Sequence, residues 1–336
     1  MLRKFFRSNF FEKKFINLRK KSSFIDKKYR LAHGIGKAFE SEKLKEKSEN
    51  AIRFLKEACI TRYEASDNAK IIWMYWDSHI EEAPEVVQLS YISWKKLNPD
   101  YKVVLLNDEN IKSKLGFEFN AVFDLCKIRL TKANKSDLLR TYLLTKFGGI
   151  WADATSFCIK PLKQWLPNIK DKTDFFMFRQ KEVKSRPLEV WFMYAEKGSP
   201  VIAKTFFLYL DFLLKERNTT IFVSNSKKMM RKLGFEKSYP YRIYAESVYD
   251  AERYGFMPYF ALAYFLNESM NTSLDDFEQE NFFRLPNKFC NNQDSIDCFL
   301  NSYVSKQTYK DGYPTSDIYL ERKEILVSNI LVQTEI

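Results

Sequence analysis

Short apolar runs and longer amphipathic segments alternate along the first half of the chain. Residues 70–76 (KIIWMYW) and 101–106 (YKVVLL) have the length and apolar content of buried strands, and helical spacing lies between them from Pro84 to about Leu97. Strands that alternate with helices in this way are covered by helices on both faces of a sheet. The pattern therefore predicts an α/β fold with a mainly parallel sheet.

The middle of the chain continues this alternation. Helical spacing predicts helices at 108–114, 119–130 and 133–147, the last ended by two glycines. Apolar runs predict further strands at 150–152, 156–159, 174–179 and 190–194. Because ligands bind at the carboxyl ends of the strands in such sheets, the residues predicted at those ends are candidates for a site: Trp76, Asp108 and Asp153.

The second half of the chain is mainly helical in its pattern. Helices are predicted at 199–217, 222–233 and 241–268. We therefore expect a basic amphipathic arm, a helical lead-in and one large domain, at 1–40, 41–66 and 67–336. Within that domain we expect an α/β part at about 67–198 and a mostly helical part at about 199–336.

The composition is that of a folded protein. The chain of 336 residues is 45% hydrophobic and 16% aromatic, which is not typical of disordered segments. No window approaches 18 uninterrupted apolar residues, so no transmembrane helix is predicted. The N-terminus lacks the pattern of a secretory signal. Five widely spaced cysteines without a CxxC pair favour reduced thiols in a cytoplasmic protein.

The net charge of +12 is concentrated at the N-terminus. Residues 1–30 contain eleven lysines and arginines against two acidic residues, interleaved with phenylalanines. Such a segment can lie on an anionic membrane surface; alternatively, its phenylalanines pack on the domain and its lysines are solvated. We expect a peripheral contact with the inner face of the plasma membrane. We expect no nucleic-acid binding, because no zinc-finger or RNA-recognition signature accompanies the charge.

Few side chain types are available for catalysis. The two histidines, His33 and His79, stand in no motif, and the chain contains neither a GxxxxGK[ST] nor a GxGxxG loop. Serine or cysteine triads and the common phosphate loops are therefore hard to build. The remaining chemistry must rest on carboxylates, basic groups, amides and a bound metal.

The segment NKSDLLR at 134–140 is the best candidate for a polar site. Asp137 and Arg140 are three residues apart on a predicted helix and share one face. An aspartate accepts hydrogen bonds from ribose or base, and an arginine binds phosphate or carboxylate; the alternative is a surface ion pair. Asp153 either caps the turn after its strand or joins the same site, because the helix runs through the glycine stop into that strand.

The stretch KSDLLRTYLLTKFGGIWADAT, at 135–155, resembles the signature of DXD-type sugar transferases. In those proteins [AS]-[SD]-x-x-R, a helix, Gly-Gly-[IV]-[YW] and an acidic strand end follow in order. The WADAT ending resembles the capsular polysaccharide synthesis branch in particular, which is related to glycosyltransferase family 32. The likeness covers about residues 70–266.

The resemblance implies a single Rossmann-type nucleotide-diphosphosugar transferase fold of the GT-A type, with its nucleotide-binding part at about 67–198. It also implies glycosyl transfer with retention of anomeric configuration. Trp76 matches the aromatic residue that stacks on the donor base, and Asp137 and Arg140 match contacts to the nucleotide-sugar. Asp153 matches the first acid of DXD, and we expect Asp153 and Arg140 to act in catalysis.

The resemblance further implies a divalent metal, Mn²⁺ or Mg²⁺. Oxygen ligands bind such cations, which neutralise a diphosphate leaving group. Thr155 stands where the second acid of DXD is expected, so the predicted metal ligands are Asp153 and Thr155. Members of the branch often carry a His-Lys-Leu-Thr segment near the C-terminus. The nearest stretch here is SKQT at 305–308, which makes Lys306 a candidate diphosphate contact.

These features predict a glycosyltransferase that moves a sugar from a UDP-linked nucleotide-sugar donor to a capsular, exopolysaccharide or lipopolysaccharide glycan. A lipid-linked acceptor would explain the basic arm at 1–30. The alternative is a catalytically degenerate transferase that binds nucleotide-sugar or glycan as a scaffold at the membrane surface. Three departures from the resemblance motivate this alternative: Thr155, and Ser305 and Ala263 at positions where relatives tend to carry histidine.

Overall fold

The computed structural model describes most of the chain between residues 18 and 332. The described residues are 18–19, 21–33, 35, 42–61, 70–180, 187–232 and 244–332. Residues 1–17, the first part of the basic arm predicted at 1–40, lie outside this part. The helical lead-in predicted at 41–66 is represented by a helix at Glu42–Ile60, with non-helical backbone angles at Ser48.

Eleven strands and thirteen α-helices, numbered here in chain order, make up the described part of the chain. The strands are β1 (Ile71–Tyr75), β2 (Lys102–Leu106), β3 (Ile128–Arg129), β4 (Gly149–Ala152), β5 (Ser156–Cys158), β6 (Phe175–Arg179), β7 (Leu188–Ala195), β8 (Ile221–Ser224), β9 (Phe256–Pro258), β10 (Phe289–Cys290) and β11 (Val304–Lys306). The helices are α1 (Ser23–His33), α2 (Glu42–Ile60), α3 (Glu85–Leu97), α4 (Ile111–Leu115), α5 (Lys132–Phe147), α6 (Pro167–Lys170), α7 (Pro200–Leu214), α8 (Lys227–Lys232), α9 (Ala245–Glu252), α10 (Ala261–Ser273), α11 (Asp276–Arg284), α12 (Ile296–Asn301) and α13 (Asp317–Ile325).

A five-stranded sheet in the order β2-β1-β4-β7-β6 forms the centre of the fold. Strands β2, β1 and β4 are parallel, whereas β7 and β6 continue the sheet in antiparallel pairings. All four residues of β4 are buried, as expected of a strand covered on both faces. The predicted α/β fold with a parallel-rich sheet is confirmed, and the antiparallel side is an addition to it.

Helix α5 leads directly into strand β4 of this sheet. The Thr131 hydroxyl caps its start by accepting a hydrogen bond from the backbone N–H of Asn134. Its other end requires glycine, because Gly148 has φ of +67° and an added Cβ would lie 2.7 Å from the backbone nitrogen of Lys197. The chain therefore turns directly from α5 into β4, which fixes the helix relative to the strand.

Three long helical patterns were predicted wrongly in part. The segment 119–130 forms a 3₁₀ turn (Phe119–Asp124) and then β3, 222–233 begins as β8, and 241–268 is interrupted by β9. These strands form a separate sheet in the order β3-β8-β9. Each has two to four residues, so pairing with a distant strand decides its conformation more than its own pattern does.

The described part of the N-terminal segment packs against the domain. Arg19 is 5% exposed and forms ion pairs with Asp26 (2.9 Å) and with the buried Glu268 of α10 (3.2 Å). Arg30 also reaches Glu268, at 3.1 Å. Arg19 is therefore not available to a lipid surface, which corrects the expectation for this residue. Phe24 is 65% exposed, and contact of the arm with a membrane stays a prediction.

No helix among the described residues is long and apolar enough to cross a membrane.

Candidate active site

The first elements of the site meet at the carboxyl ends of β1 and β4. Because these strands are parallel neighbours, Trp76 and Asp153, the residues that follow them, lie at the same edge of the sheet. The backbone N–H of Asp153 donates to the carbonyl of Trp191 in β7 at 2.8 Å. A turn then follows, in which the N–H of Ser156 donates to the carbonyl of Asp153 at 2.9 Å. The side chain of Asp153 is thus held at the strand end.

Helix α5 brings Arg140 to this carboxylate. Nη2 of Arg140 lies 3.3 Å from Oδ1 of Asp153 and 3.2 Å from Oδ1 of Asp137. The guanidinium carbon lies 5.0 Å from the centre of the Trp151 ring, and Nε1 of Trp151 donates to Oδ1 of Asp153 at 2.8 Å. The structure therefore brings together the three charged residues that the sequence placed around the glycine stop.

Lys306 completes the site from the C-terminal region. Strand β11 pairs antiparallel with β5, with Lys306 opposite Ser156, and this returns the chain to the turn after Asp153. The ammonium nitrogen of Lys306 lies 2.7 Å from Oδ2 of Asp153 and 2.9 Å from Oγ1 of Thr155. The lysine therefore bridges the side chains of Asp153 and Thr155.

The two carboxylates of the site differ in their proton affinity. Burial disfavours the charge on Asp153, but Lys306 and Arg140 outweigh burial and hold its pKa below the usual value. Burial raises the pKa of Asp137 to about 6, although Arg140 beside it acts in the opposite direction. Asp153 is therefore anionic at neutral pH, and it carries its charge between two cations.

An open cavity of about 670 Å³ lies over this group, within the usual range for small-molecule sites. Four cationic side chains line it, Lys132, Arg140, Lys306 and Lys310, against the two carboxylates of Asp77 and Asp153. The cavity is therefore suited to an anionic ligand. The other lining residues are Tyr75, Trp76, Ala133, Ser136, Ala154, Thr155, Tyr259, Asn292, Gln307, Thr308 and Tyr309.

Trp76 forms part of the aromatic wall of this cavity. It is partly buried, and its ring meets that of Tyr309 edge to face with centroids 5.1 Å apart. The open face of such a pair can accept a planar ligand by stacking. The predicted position of Trp76 at the site agrees with this geometry, whereas Tyr309, the residue after the SKQT stretch, was not predicted as a site residue.

Asp137 differs from its predicted role. It is 8% exposed and does not line the cavity. Its carboxylate instead forms an ion pair with Arg140, which does line the cavity. Asp108, at the end of β2, accepts a hydrogen bond from the hydroxyl of Tyr75 at 2.6 Å and also stays outside the lining. These two carboxylates therefore support side chains that reach the cavity.

The positions where relatives tend to carry histidine also lie outside the cavity. Ser305 is fully buried in β11, and its hydroxyl accepts a hydrogen bond from Nε2 of Gln307. Ala263 is 5% exposed in the helix α10. Neither residue lines the cavity.

Sequence reasoning missed several cavity residues. Tyr259 precedes α10, and Lys132 pairs with Asp77 across the cavity mouth. A lysine, an aspartate and a tyrosine in separate segments give no pattern of their own. Lys132 at the start of α5, four residues before Ser136 of the motif, was the one available signal.

The donor set does not fit a divalent metal ion as it stands. Around Asp153, the described residues include no group of three histidine, cysteine, aspartate or glutamate ligands. Oδ2 of Asp153 is bound to Lys306, and Oδ1 faces Arg140 and Trp151. Mn²⁺ and Mg²⁺ prefer several oxygen ligands, so an ion here would have to displace the ammonium group. The predicted metal stays a prediction.

The fold and the site define a protein of the α/β class with a cationic cavity at the carboxyl edge of its sheet. The sequence profile of the family described as capsular polysaccharide synthesis protein matches residues 7–306. The chain belongs to this family, and the resemblance predicted from the sequence is confirmed.

Two curated relatives are glycosyltransferases by name. HOC1 of Saccharomyces cerevisiae, a candidate glycosyltransferase, is 23% identical over 146 residues, which cover 39% of this chain and 36% of HOC1. The O-glycosyltransferase braB of Annulohypoxylon truncatum is 28% identical over 158 residues, covering 43% of this chain and 37% of braB. The chain thus matches little more than a third of the length of these relatives. Their class agrees with the enzyme class predicted from the sequence.

A comparison with solved structures finds the PaToxG glycosyltransferase. It shares 16% sequence identity over 70% of this chain and 92% of that chain, with a TM-score of 0.30. A score of this size does not support an argument about fold or function.

Proposed function

We propose that the protein is a glycosyltransferase that uses a nucleotide-diphosphosugar donor in the cavity beside Asp153. The observation that carries the proposal is the arrangement of charges there: a single carboxylate held between Arg140 and Lys306, beside an aromatic wall that includes Trp76. Membership of the family and the glycosyltransferase relatives support the same activity.

The donor's base stacks on Trp76 in this proposal. The cavity of about 670 Å³ extends from Trp76, at the end of β1, and Tyr309, after β11, to Asp153, at the end of β4. This volume provides room for a base, a ribose and a diphosphate. We propose a UDP-linked donor on the strength of the sequence resemblance. Asp137 contributes by orienting Arg140, because it does not line the cavity.

The diphosphate lies against the cations. Each of its two phosphates carries a negative charge, and the cavity lining has an excess of two cationic side chains over carboxylates. When the bond between the sugar's anomeric carbon and the diphosphate oxygen breaks, that oxygen gains negative charge. Lys306 and Arg140 stabilise this charge, as preorganised cations do in a site partly shielded from water.

The acceptor attacks from the open side of the cavity. We propose transfer with retention, in which the acceptor hydroxyl approaches on the face from which the diphosphate leaves. The departing phosphate takes the hydroxyl's proton, so no protein base is needed. The acceptor is a capsular, exopolysaccharide or lipopolysaccharide glycan. A lipid-linked glycan would place the protein at the inner face of the plasma membrane.

The alternative function is a degenerate transferase that serves as a scaffold, and it was motivated by Thr155, Ser305 and Ala263. Ser305 and Ala263 are buried outside the cavity lining, so in this proposal neither residue contacts the donor. Thr155 remains, but Lys306 binds its hydroxyl and supplies a charge next to it. The site therefore favours an active enzyme.

Trp76→Ala is expected to weaken donor binding by roughly 5- to 150-fold, because stacking of a base on an aromatic side chain contributes about 1–3 kcal/mol. Calorimetric titration of the purified protein with UDP-sugars measures this change. Phe277→Ala serves as the control, since Phe277 is 71% exposed on α11 and outside the cavity lining. An unchanged dissociation constant for Trp76→Ala would contradict the proposal that the donor's base stacks on Trp76.

A further inference from the structure

A second group of chemically reactive side chains lies in the loop that joins β10 to α12. The sequence CNNQDSIDC places Cys290, Asp294 and Cys298 at intervals of four residues. Cys290 ends β10 and is buried, Asp294 lies in the following turn, and Cys298 lies in the first turn of α12. The donated ligand atoms, two Sγ atoms and one carboxylate oxygen, all lie within 4.8 Å of one another.

Ligands around one zinc ion lie slightly closer together than this upper limit. With Zn–S of about 2.3 Å and Zn–O of about 2.0–2.2 Å, tetrahedral geometry separates a sulfur and an oxygen ligand by about 3.5 Å and two sulfur ligands by about 3.8 Å. Sγ of Cys298 lies 3.8 Å from Oδ2 of Asp294. Small side chain movements would therefore bring all three ligand atoms to bonding distance.

The loop is held in place by bonds that do not depend on a metal. The backbone N–H of Asn291 donates to Oδ2 of Asp294 at 2.6 Å, which orients the carboxylate. The Ser295 hydroxyl caps α12 by accepting from the N–H of Cys298 at 3.2 Å. Nη2 of Arg322 donates to the carbonyl of Asp294 at 2.6 Å. The ligand set is thus largely preorganised.

The charge of Arg322 is the independent observation that points to a cluster with net negative charge. Arg322 is fully buried, and it forms no ion pair with a carboxylate of the described residues; its Nη1 meets Oε1 of Gln307 and the hydroxyl of Tyr313, both neutral. Its Nη2 donates instead to Sγ of Cys290 at 3.4 Å, and its Nε has no partner among those residues. A buried charge without a counter-charge is costly, so a negative group beside Cys290 would stabilise this arginine.

We propose that Cys290, Asp294 and Cys298 bind one Zn²⁺ ion. Binding breaks two S–H bonds, forms two Zn–S bonds and releases two protons to solvent. Two thiolates and one carboxylate around Zn²⁺ carry a net charge of −1, which is the counter-charge that Arg322 lacks. Asp294 and Cys298 are only partly buried, so water can supply the fourth ligand of a tetrahedral site.

The site would stabilise the part of the chain that presents Lys306. Strand β10 pairs with β11, with Cys290 opposite Ser305, the residue before Lys306. Asn292, in the same loop, lines the candidate active-site cavity. In this proposal the ion ties the loop to the strand that presents Lys306; it is separate from the chemistry proposed for Asp153 and does not depend on the proposed glycosyltransferase activity.

The test is metal analysis and metal titration of the full-length protein purified under reducing conditions. We expect about one zinc per chain by mass spectrometry of the metal content. We also expect Co²⁺ added to the metal-free protein to produce a near-ultraviolet thiolate-to-metal absorption band. Cys298→Ser and Asp294→Asn are expected to weaken Zn²⁺ binding by more than about 10-fold, the lower limit for groups that merely support a metal ligand.

Cys126→Ser is the matched control, because Cys126 is a partly buried thiol outside the loop, and it should retain full zinc binding. Wild-type protein without zinc and without a Co²⁺ thiolate band would overturn the proposal, even if Cys290 variants fail to fold. A Cys290–Cys298 disulfide, seen as the loss of two hydrogens from the intact mass without bound metal, would also overturn it.

Discussion

Asp153→Asn is expected to lower the turnover of the nucleotide-sugar donor by at least about 100-fold, or about 2.7 kcal/mol of transition-state stabilisation. The substitution keeps the shape of the side chain but removes the negative charge that holds Lys306 at 2.7 Å and faces Arg140 at 3.3 Å. Without that charge the two cations repel each other and no longer keep their positions. The rate of donor hydrolysis and the rate of transfer both measure the effect.

Asp100→Asn provides the matched control for this change. Asp100 precedes β2 at the opposite edge of the sheet, where it forms an exposed ion pair with Lys70 at 3.6 Å. Such surface pairs contribute little, so the variant should keep its stability and full turnover. Full turnover by a folded Asp153→Asn variant would show that Asp153 is not part of the catalytic site.

Lys306→Met is expected to lower kcat by about 100- to 1,000-fold, the effect of removing one preorganised group that stabilises developing charge. Methionine keeps much of the apolar stem of lysine but cannot bridge Asp153 and Thr155 or neutralise the leaving diphosphate. Lys306→Arg should keep more activity than Lys306→Met, because it retains the charge in a different shape. Steady-state kinetics with a UDP-sugar separates the effect on kcat from that on KM.

Metal removal gives this prediction a second readout. Since Lys306 supplies the positive charge beside Asp153, the wild-type protein should keep its turnover when EDTA is present. Lys163→Met, at an exposed lysine outside the cavity lining, should behave like the wild type in both conditions. Loss of wild-type turnover in EDTA, restored by Mn²⁺, would contradict the role of Lys306 as the main cation and favour the metal.

The part of the fold that carries the sequence motif was predictable from the sequence. The apolar runs at 70–76 and 101–106 correspond to β1 and β2, and the helical pattern before the two glycines corresponds to α5. Gly148 has a backbone conformation that other residues rarely adopt. A local signal of this kind marks the turn between a helix and a strand. This turn brings Arg140 of α5 close to Asp153 at the end of β4.

Contacts between distant segments were less accessible to sequence reasoning. Lys306 was a candidate only through resemblance, because its position depends on pairing between β11 and β5, about 150 residues apart in the chain. The strands β3, β8 and β9 lie in segments with helical spacing, and they were missed for the same reason. Each is stabilised by a partner strand that the local pattern does not reveal.

The rotation of α5 about its own axis could also not be predicted from the sequence. The spacing of Asp137 and Arg140 predicted that they share a helix face, and they do form an ion pair. It did not indicate which of the two would reach the cavity. Packing of α5 against the sheet and α7 decides this, and it leaves Asp137 behind the arginine.

Calorimetric titration of the wild-type protein with UDP-, GDP- and CMP-sugars tests the central claim most directly, because it asks whether the cavity binds a nucleotide-sugar at all. We predict one-to-one binding of one donor class, UDP-linked, with a dissociation constant between about 1 μM and 1 mM, the usual range for enzyme substrates. Absence of binding by every donor, both with Mn²⁺ and with EDTA, would contradict the assignment of this cavity to a glycosyltransferase.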